Sequence, residues 1–276
     1  MGARLGEQLA TGSRSAVFAW GRDAVAKVPL ESTPDAWIRF EAVYAVAVRD
    51  SGAPAPRLLG IETIDGRAAS IYERVRGQSM WADMLEHRQQ VPAHALALAE
   101  LQAHLFSLTP PISLPSLRDR LTCKIRRAAT RVDPELAAAL DAIPPPDGRT
   151  YLCHGDLHPG NVLMSRDGPV LIDWFDAARG DRLADIARTS LLVSASAHGR
   201  TGPSHLPGWD RELLDLVHQS YVAAITDLIA PDPVELARWT AVVAAARVSE
   251  GVSTERLRAI WDTWRSGSDT QLGVAR

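Results

Sequence analysis

The chain has 276 residues, 46% of them hydrophobic, and a formal net charge of −3. That is enough material for one large domain or two lobes with a good core. No basic tract and no run of about 18 apolar residues occurs, so neither nucleic acid nor a membrane is an expected partner.

Two cysteines, Cys123 and Cys153, lack metal-ligand spacing, and the start lacks a long apolar leader. The resulting expectation is a protein of the reducing cytoplasm. Of 30 strong bases only Lys27 and Lys124 are lysines. Where arginine replaces lysine almost everywhere, a remaining lysine is a candidate for a task that needs a compact ammonium.

Residues 5–10, 16–20 and 24–28 read as three short strands. The turn Thr11-Gly12-Ser13-Arg14-Ser15 joins the first two. Such a turn can offer N–H groups to a phosphate, with Ser13 at its centre, or be an ordinary hairpin turn. Lys27 ends the third strand.

Residues 34–50 predict a helix, with Ser32 or Thr33 as cap and Pro34 early. Trp37, Phe40, Val43, Tyr44 and Ala47 give its apolar face. Residues 57–61 and 68–72 are the next strands, linked by Asp65-Gly66. At Glu73-Arg74-Val75-Arg76-Gly77 the pattern changes from strand to helix, which puts a lobe boundary near residue 76.

Helices are then expected at 80–89, 93–108, 117–131 and 134–142. Leu96, Leu98, Leu101 and Leu105 are the core candidates of the second. Pro144 to Gly148 is a stiff connector. After the central motif, residues 174–180 read as a loop and Asp181 as the cap of a helix to about Val193. Residues 195–209 form a long surface loop bordering the acceptor. Helices at 210–229, 233–250 and 254–264 close the chain, and 266–276 read as a polar tail. The closing helices carry more acids than arginines, and Trp209, Trp239, Trp261 and Trp264 lie in or beside them. Those residues either line a cleft for a cationic acceptor or form a solvated face over core tryptophans, the commoner arrangement.

The chemistry concentrates in Cys153-His154-Gly155-Asp156-Leu157-His158-Pro159-Gly160-Asn161-Val162-Leu163, followed by Val170-Leu171-Ile172-Asp173-Trp174. Residues 163–164 and 170–172 read as short strands joined at Arg166-Asp167-Gly168. Asp156 and Asn161 then lie on a loop, and Asp173 lies at the end of a neighbouring strand. Asn161 and Asp173 are the hard oxygen donors that Mg²⁺ prefers, with phosphates and water completing its shell. Asp156 is left to orient a substrate hydroxyl and take its proton. An Asp-x-x-x-x-Asn loop with a second acid after a hairpin is the catalytic arrangement of protein-kinase-like enzymes.

The form His-Gly-Asp-Leu-His-Pro-Gly-Asn-Val-Leu, then Ile-Asp-Trp, then Gly180-Asp181-Arg182-Leu183-Ala184-Asp185-Ile186-Ala187, resembles the aminoglycoside phosphotransferase family. The resemblance implies an α+β, protein-kinase-like bilobal fold: a β-rich lobe over 1–76 and a mostly helical lobe over 77–276, with ATP between them. It implies that Lys27 contacts the α- and β-phosphates, held by Glu41, with Glu31 and Asp35 as alternatives. It also implies that the Glu73 carbonyl and the Val75 N–H hold adenine, that His154 bonds loop backbone, and that Asp185 braces the catalytic loop. Asp176 either points at substrate or is an ordinary loop aspartate. The implied reaction moves the γ-phosphoryl group of ATP, with Mg²⁺, to a hydroxyl of a small molecule. An antibiotic of the aminoglycoside or basic-peptide type (viomycin, capreomycin) comes first. An amino sugar, choline or another amino alcohol is the alternative.

No Ala-Pro-Glu signal follows Asp173, which argues against a protein substrate. No Walker A or G-x-G-x-x-G pattern occurs either. The motif also allows two other readings. His154-x-Asp156-x-His158 could be a zinc or iron triad, although glycine and proline interrupt any strand there. A nucleotide-binding pseudoenzyme could also keep the fold. Nothing in the sequence sets an oligomeric state.

Overall fold

The computed structural model describes residues 5–128, 149–194 and 206–251. The helices expected at 134–142 and 254–264, the connector, the polar tail and most of the 195–209 loop lie outside them.

Strands β1 (Leu5–Thr11), β2 (Ser15–Trp20) and β3 (Ala24–Pro29) form an antiparallel meander. With β4 (Leu58–Ile64) and β5 (Arg67–Glu73) they make one sheet in the order β1-β2-β3-β5-β4. Its inner strands carry Ala24, Ala26, Ala69 and Ile71 to a small core of their own.

Helix α1 (Asp35–Asp50) crosses between β3 and β4 and buries Ile38, Glu41, Ala42, Ala45 and Val48. The expected face is therefore rotated. Phe40 and Val43 are each 55% exposed. The phase was hidden because the buried stripe consists of small residues and a glutamate, and that charge is tolerable only because Lys27 meets it. Neither Ser32 nor Thr33 caps this helix. Pro34 holds the cap position without a side-chain bond, while Asp35 accepts from the Ala68 N–H at 2.8 Å.

Below the sheet lie α2 (Met80–Glu86), α3 (Val91–Ser107) and α4 (Leu117–Arg127). The first expected helix is divided, because a 3₁₀ turn at Arg88–Gln90 precedes Pro92 in the first turn of α3. Leu98, Leu101 and Leu105 are buried as expected, but Leu96 is 43% exposed. Further on come α5 (Arg182–Val193), α6 (Arg211–Ile229) and α7 (Pro233–Arg247). Asp181, Asp210 and Asp232 cap these three by accepting backbone N–H groups. The main core joins Met80, Met84, Leu98, Leu105, Trp174 and Tyr221, and reaches Ala45 and Val48 of α1. Trp239 belongs to a second buried cluster with Leu117, Leu121 and Leu191, so it is a core residue and not part of a cleft wall.

Two small ribbons carry the central motif. β7 (Val162–Ser165) pairs with β8 (Gly168–Leu171), as expected. β6 (Tyr151–Cys153) pairs with β9 (Ala178–Gly180), so part of the segment read as loop is a strand. Three-residue strands are too short to show a period. Asp173 lies two residues beyond β8, in the left-handed conformation (φ 64°). Gly77 fixes how the chain crosses from sheet to helices: a Cβ there would stand 2.0 Å from the Met164 carbonyl oxygen.

Candidate active site

β3 projects Lys27 towards α1, where its Nζ donates to Glu41 Oε1 at 2.5 Å and to Asp173 Oδ1 at 3.2 Å. Glu41, and neither Glu31 nor Asp35, is thus the partner that the fold selects. Burial alone would disfavour the ammonium, but Asp173 and Glu41 outweigh it and raise the Lys27 pKa. Burial pushes Asp173 the other way, and Lys27 and Arg14 overcome it, so the carboxylate titrates below its ordinary range. The Asp173 side chain is 44% exposed and faces the cleft. The strained αL backbone at an aspartate is the kind of cost that persists where surrounding contacts over-determine it.

Asp156 and Asn161 lie on a tightly fixed loop. Gly155 turns the chain at φ 77°, where a Cβ would fall 2.2 Å from the Asp176 carbonyl oxygen. The buried Asp185 of α5 accepts from the Gly155 N–H at 2.8 Å and the His154 N–H at 3.3 Å. Gln102 of α3 donates to the same carboxylate at 3.0 Å, and the Tyr221 hydroxyl donates to Gln102. Asp185 therefore holds the loop from below, as a brace. Asn161 donates its Nδ2 to the Asp156 carbonyl at 2.9 Å. That fixes the amide and leaves Oδ1 as the atom that could ligate a metal. Asn161 Oδ1 and the Asp173 carboxylate are a hard-oxygen pair that fits Mg²⁺.

The histidines do not form a metal triad. His154 Nδ1 accepts from the Asp156 N–H at 3.3 Å, so Nε2 is the donor to the Ile172 carbonyl at 3.1 Å. Both ring nitrogens are used by backbone. His158 accepts from the Gly160 N–H at 3.1 Å, and burial pushes its pKa down to about 3.

Several residues at the site were not foreseen. Arg188 donates to Asp156 Oδ1 at 2.9 Å, to Glu250 Oε2 at 2.6 Å and to the Gly155 carbonyl at 3.2 Å. Asp176 is not an ordinary loop residue. It is buried, with Lys124 at 3.2 Å, Arg14 at 3.3 Å and Arg120 at 3.6 Å. Burial pushes its pKa up, yet these cations hold it well below the carboxylate range. Lys124 also reaches Glu250 at 3.1 Å. Both lysines of the chain thus stand at the cleft. Arg188 had one available signal: it follows Asp185 by three residues on α5 and so shares its face. Glu250 had none.

Ser13 sits exposed in the β1–β2 turn, beside a small cavity shared with Lys27, Glu41 and Asp173. The Gly12 N–H is committed to the Ser15 carbonyl at 2.8 Å. Glu73 ends β5, and its side chain accepts from the Arg57 N–H at 2.8 Å. Val75 follows in the segment that leads to α2.

Residues 7–212 match the phosphotransferase enzyme family (APH). The chain belongs to this family. Solved structures similar to this phosphotransferase carry the same kinase-like, bilobal α+β fold. An aminoglycoside-3'-phosphotransferase of type VIII is 24% identical, with 90% of this chain and 94% of that one aligned at a TM-score of 0.61. The GDP and kanamycin complex of an APH(2") enzyme is 20% identical, covering 99% and 93% at 0.60. A choline/ethanolamine kinase family protein from Mesorhizobium loti is 14% identical, covering 97% and 89% at 0.56. No curated protein matches the sequence.

Proposed function

We propose that this phosphotransferase moves the γ-phosphoryl group of ATP, with magnesium, to a hydroxyl of a small molecule. The observation that carries the reading is the convergence of Lys27, Glu41 and Asp173 from separate parts of the chain, with Asp156 and Asn161 on the adjoining loop. In this reading Lys27, fixed by Glu41, positions the α- and β-phosphates. Asn161 and Asp173 hold the magnesium ion, which neutralises phosphate charge when bound. Asp156 aligns the acceptor hydroxyl. The acceptor oxygen bonds to the γ-phosphorus as the bond to the β–γ bridging oxygen breaks, and ADP leaves with that electron pair. The hydroxyl proton passes to Asp156. The transition state is loose, so alignment contributes more than basicity. Arg188 suits that division of labour, because it fixes the carboxylate from behind.

The Glu73 carbonyl and Val75 N–H are assigned to adenine, and Ser13 to the phosphates. The lobe boundary is placed near residue 76 and the protein in the cytoplasm. A pseudoenzyme would have little reason to keep all five polar groups in register.

A small cavity lies next to Gly155, walled by Arg120, Lys124, Asp176, Arg188 and Glu250. We assign it to the acceptor side. An antibiotic acceptor is the first reading, supported by the aminoglycoside phosphotransferases among the similar structures. A metabolic amino alcohol is the second, supported by the choline/ethanolamine kinase relative. The acids Asp176 and Glu250 are already paired with Lys124, Arg120 and Arg188. The cationic character expected of the acceptor therefore draws no support from this wall. The test is ADP release from MgATP against aminoglycosides, basic peptide antibiotics, macrolides, amino sugars and amino alcohols. An antibiotic-dependent signal supports resistance. A signal only with a metabolite keeps the reaction and discards resistance.

A further inference from the structure

Arg14, in the turn between β1 and β2, has no role in the account above. Its guanidinium lies over the Phe175 ring, 4.5 Å from the centroid, and 6.0 Å from that of Trp37. Those two rings touch each other across the cleft at 5.0 Å. Nη2 donates to Asp176 at 3.3 Å. Arg14 also feels Asp173 and Asp156, and the three carboxylates raise its pKa against the effect of burial. The side chain is still 40% exposed, on the wall of the cavity it shares with Lys27.

We propose that Arg14 binds the γ-phosphoryl group and makes the site discriminate a nucleoside triphosphate from a diphosphate. This rests on the phosphotransferase reading of the same cleft. The transferred group must travel between a metal at Asp173 and a hydroxyl at Asp156, and Arg14 lines the same cavity as Asp173. Lys27 is spoken for by Glu41 and Asp173, which suits the inner phosphates. The Gly12 N–H of the turn is already bonded to the Ser15 carbonyl, so the Arg14 side chain adds a charged donor beside Ser13. Turning from Asp176 to phosphate costs Arg14 little, because Asp176 keeps Lys124 and Arg120. A planar guanidinium offers two parallel donors to phosphate oxygens, and the Phe175 face holds that plane in place.

The test is calorimetric titration of the full chain with MgADP and with Mg-AMP-PNP, a triphosphate that resists transfer. Wild type, Arg14→Gln and Arg14→Lys are compared, with thermal melts to confirm folding. Wild type should bind Mg-AMP-PNP more tightly than MgADP. Arg14→Gln should lose roughly tenfold in Mg-AMP-PNP affinity, the scale of one charged hydrogen bond, and stay within about twofold for MgADP. Arg14→Lys should fall between. Equal losses for both nucleotides, or no loss, would overturn the assignment while leaving the phosphotransferase reading intact. Failure of wild type to bind either nucleotide would overturn both.

Discussion

Glu41→Gln isolates the ion pair that joins the sheet to the cleft. The substitution keeps shape and removes one charge from a pair whose side chains are both largely buried, with Nζ and Oε1 2.5 Å apart. Deleting one partner of a fully buried pair costs about 3–5 kcal/mol. Two features reduce that here. Lys27 keeps Asp173 at 3.2 Å, and the glutamine carbonyl can still accept. About half of the lower bound remains, ~1.5 kcal/mol, which is roughly tenfold in an equilibrium constant. The same change has a directional effect. Released from Glu41, the ammonium moves towards Asp173 and competes for the carboxylate assigned to magnesium. Denaturant unfolding should therefore show that loss, and titration calorimetry with ADP should show weaker binding and a higher magnesium concentration for half-saturation. Wild-type ADP affinity and magnesium dependence in a folded Glu41→Gln protein would refute the role given to the pair.

Asp173→Ala should abolish the magnesium-dependent part of nucleotide binding, and calorimetry showing undiminished binding would remove Asp173 as a ligand. Gly155→Ala forces a side chain to 2.2 Å from the Asp176 carbonyl at positive φ. It should lower stability by about 2–4 kcal/mol in denaturant unfolding, and a neutral result would contradict the loop geometry. His158 is buried neutral with a pKa of about 3 against an ordinary 6.5. Its folded pKa lies below its unfolded one, so the unfolded chain binds the extra proton first. The stability it contributes is complete above pH 6.5 and is lost as pH falls towards 3. From pH 6.5 to 5 that loss is about 1.6 kcal/mol, and His158→Asn should flatten the slope in urea titrations at the two pH values. An unchanged slope would show that another group sets it.

The candidate site was legible wherever its residues are neighbours in sequence or of unusual type. Asp156, Asn161 and Asp173 fall within one short stretch, and of these Asp173 lines the cavity with Lys27 and Glu41. Lys27 stood out because lysine is scarce here, and the same scarcity marked Lys124, whose place beside Asp176 and Glu250 only the fold reveals. Most strand and helix spans followed from periodicity and turn residues. The rotation of α1 did not, because Glu41 sits on the buried stripe and Phe40 on the solvent side. A neutralised charge reads as polar in a one-dimensional pattern. Arg188 and Glu250 are 62 residues apart, and no local rule relates them. Asp176 looked ordinary because its burial is set by three cations from the β1–β2 turn and α4. These are long-range electrostatic choices, made only once the helices have packed.

Phosphoryl transfer aligned by Asp156 is the central claim. The most direct test supplies γ-labelled MgATP and the hydroxylated panel to wild type and Asp156→Asn, and follows the label by mass spectrometry. The account predicts label on one acceptor with wild type. With Asp156→Asn it predicts a loss of turnover by about two to four orders of magnitude, the range for a positioned general base, and near-normal ATP affinity. Equal labelling of the acceptor by both proteins would contradict it.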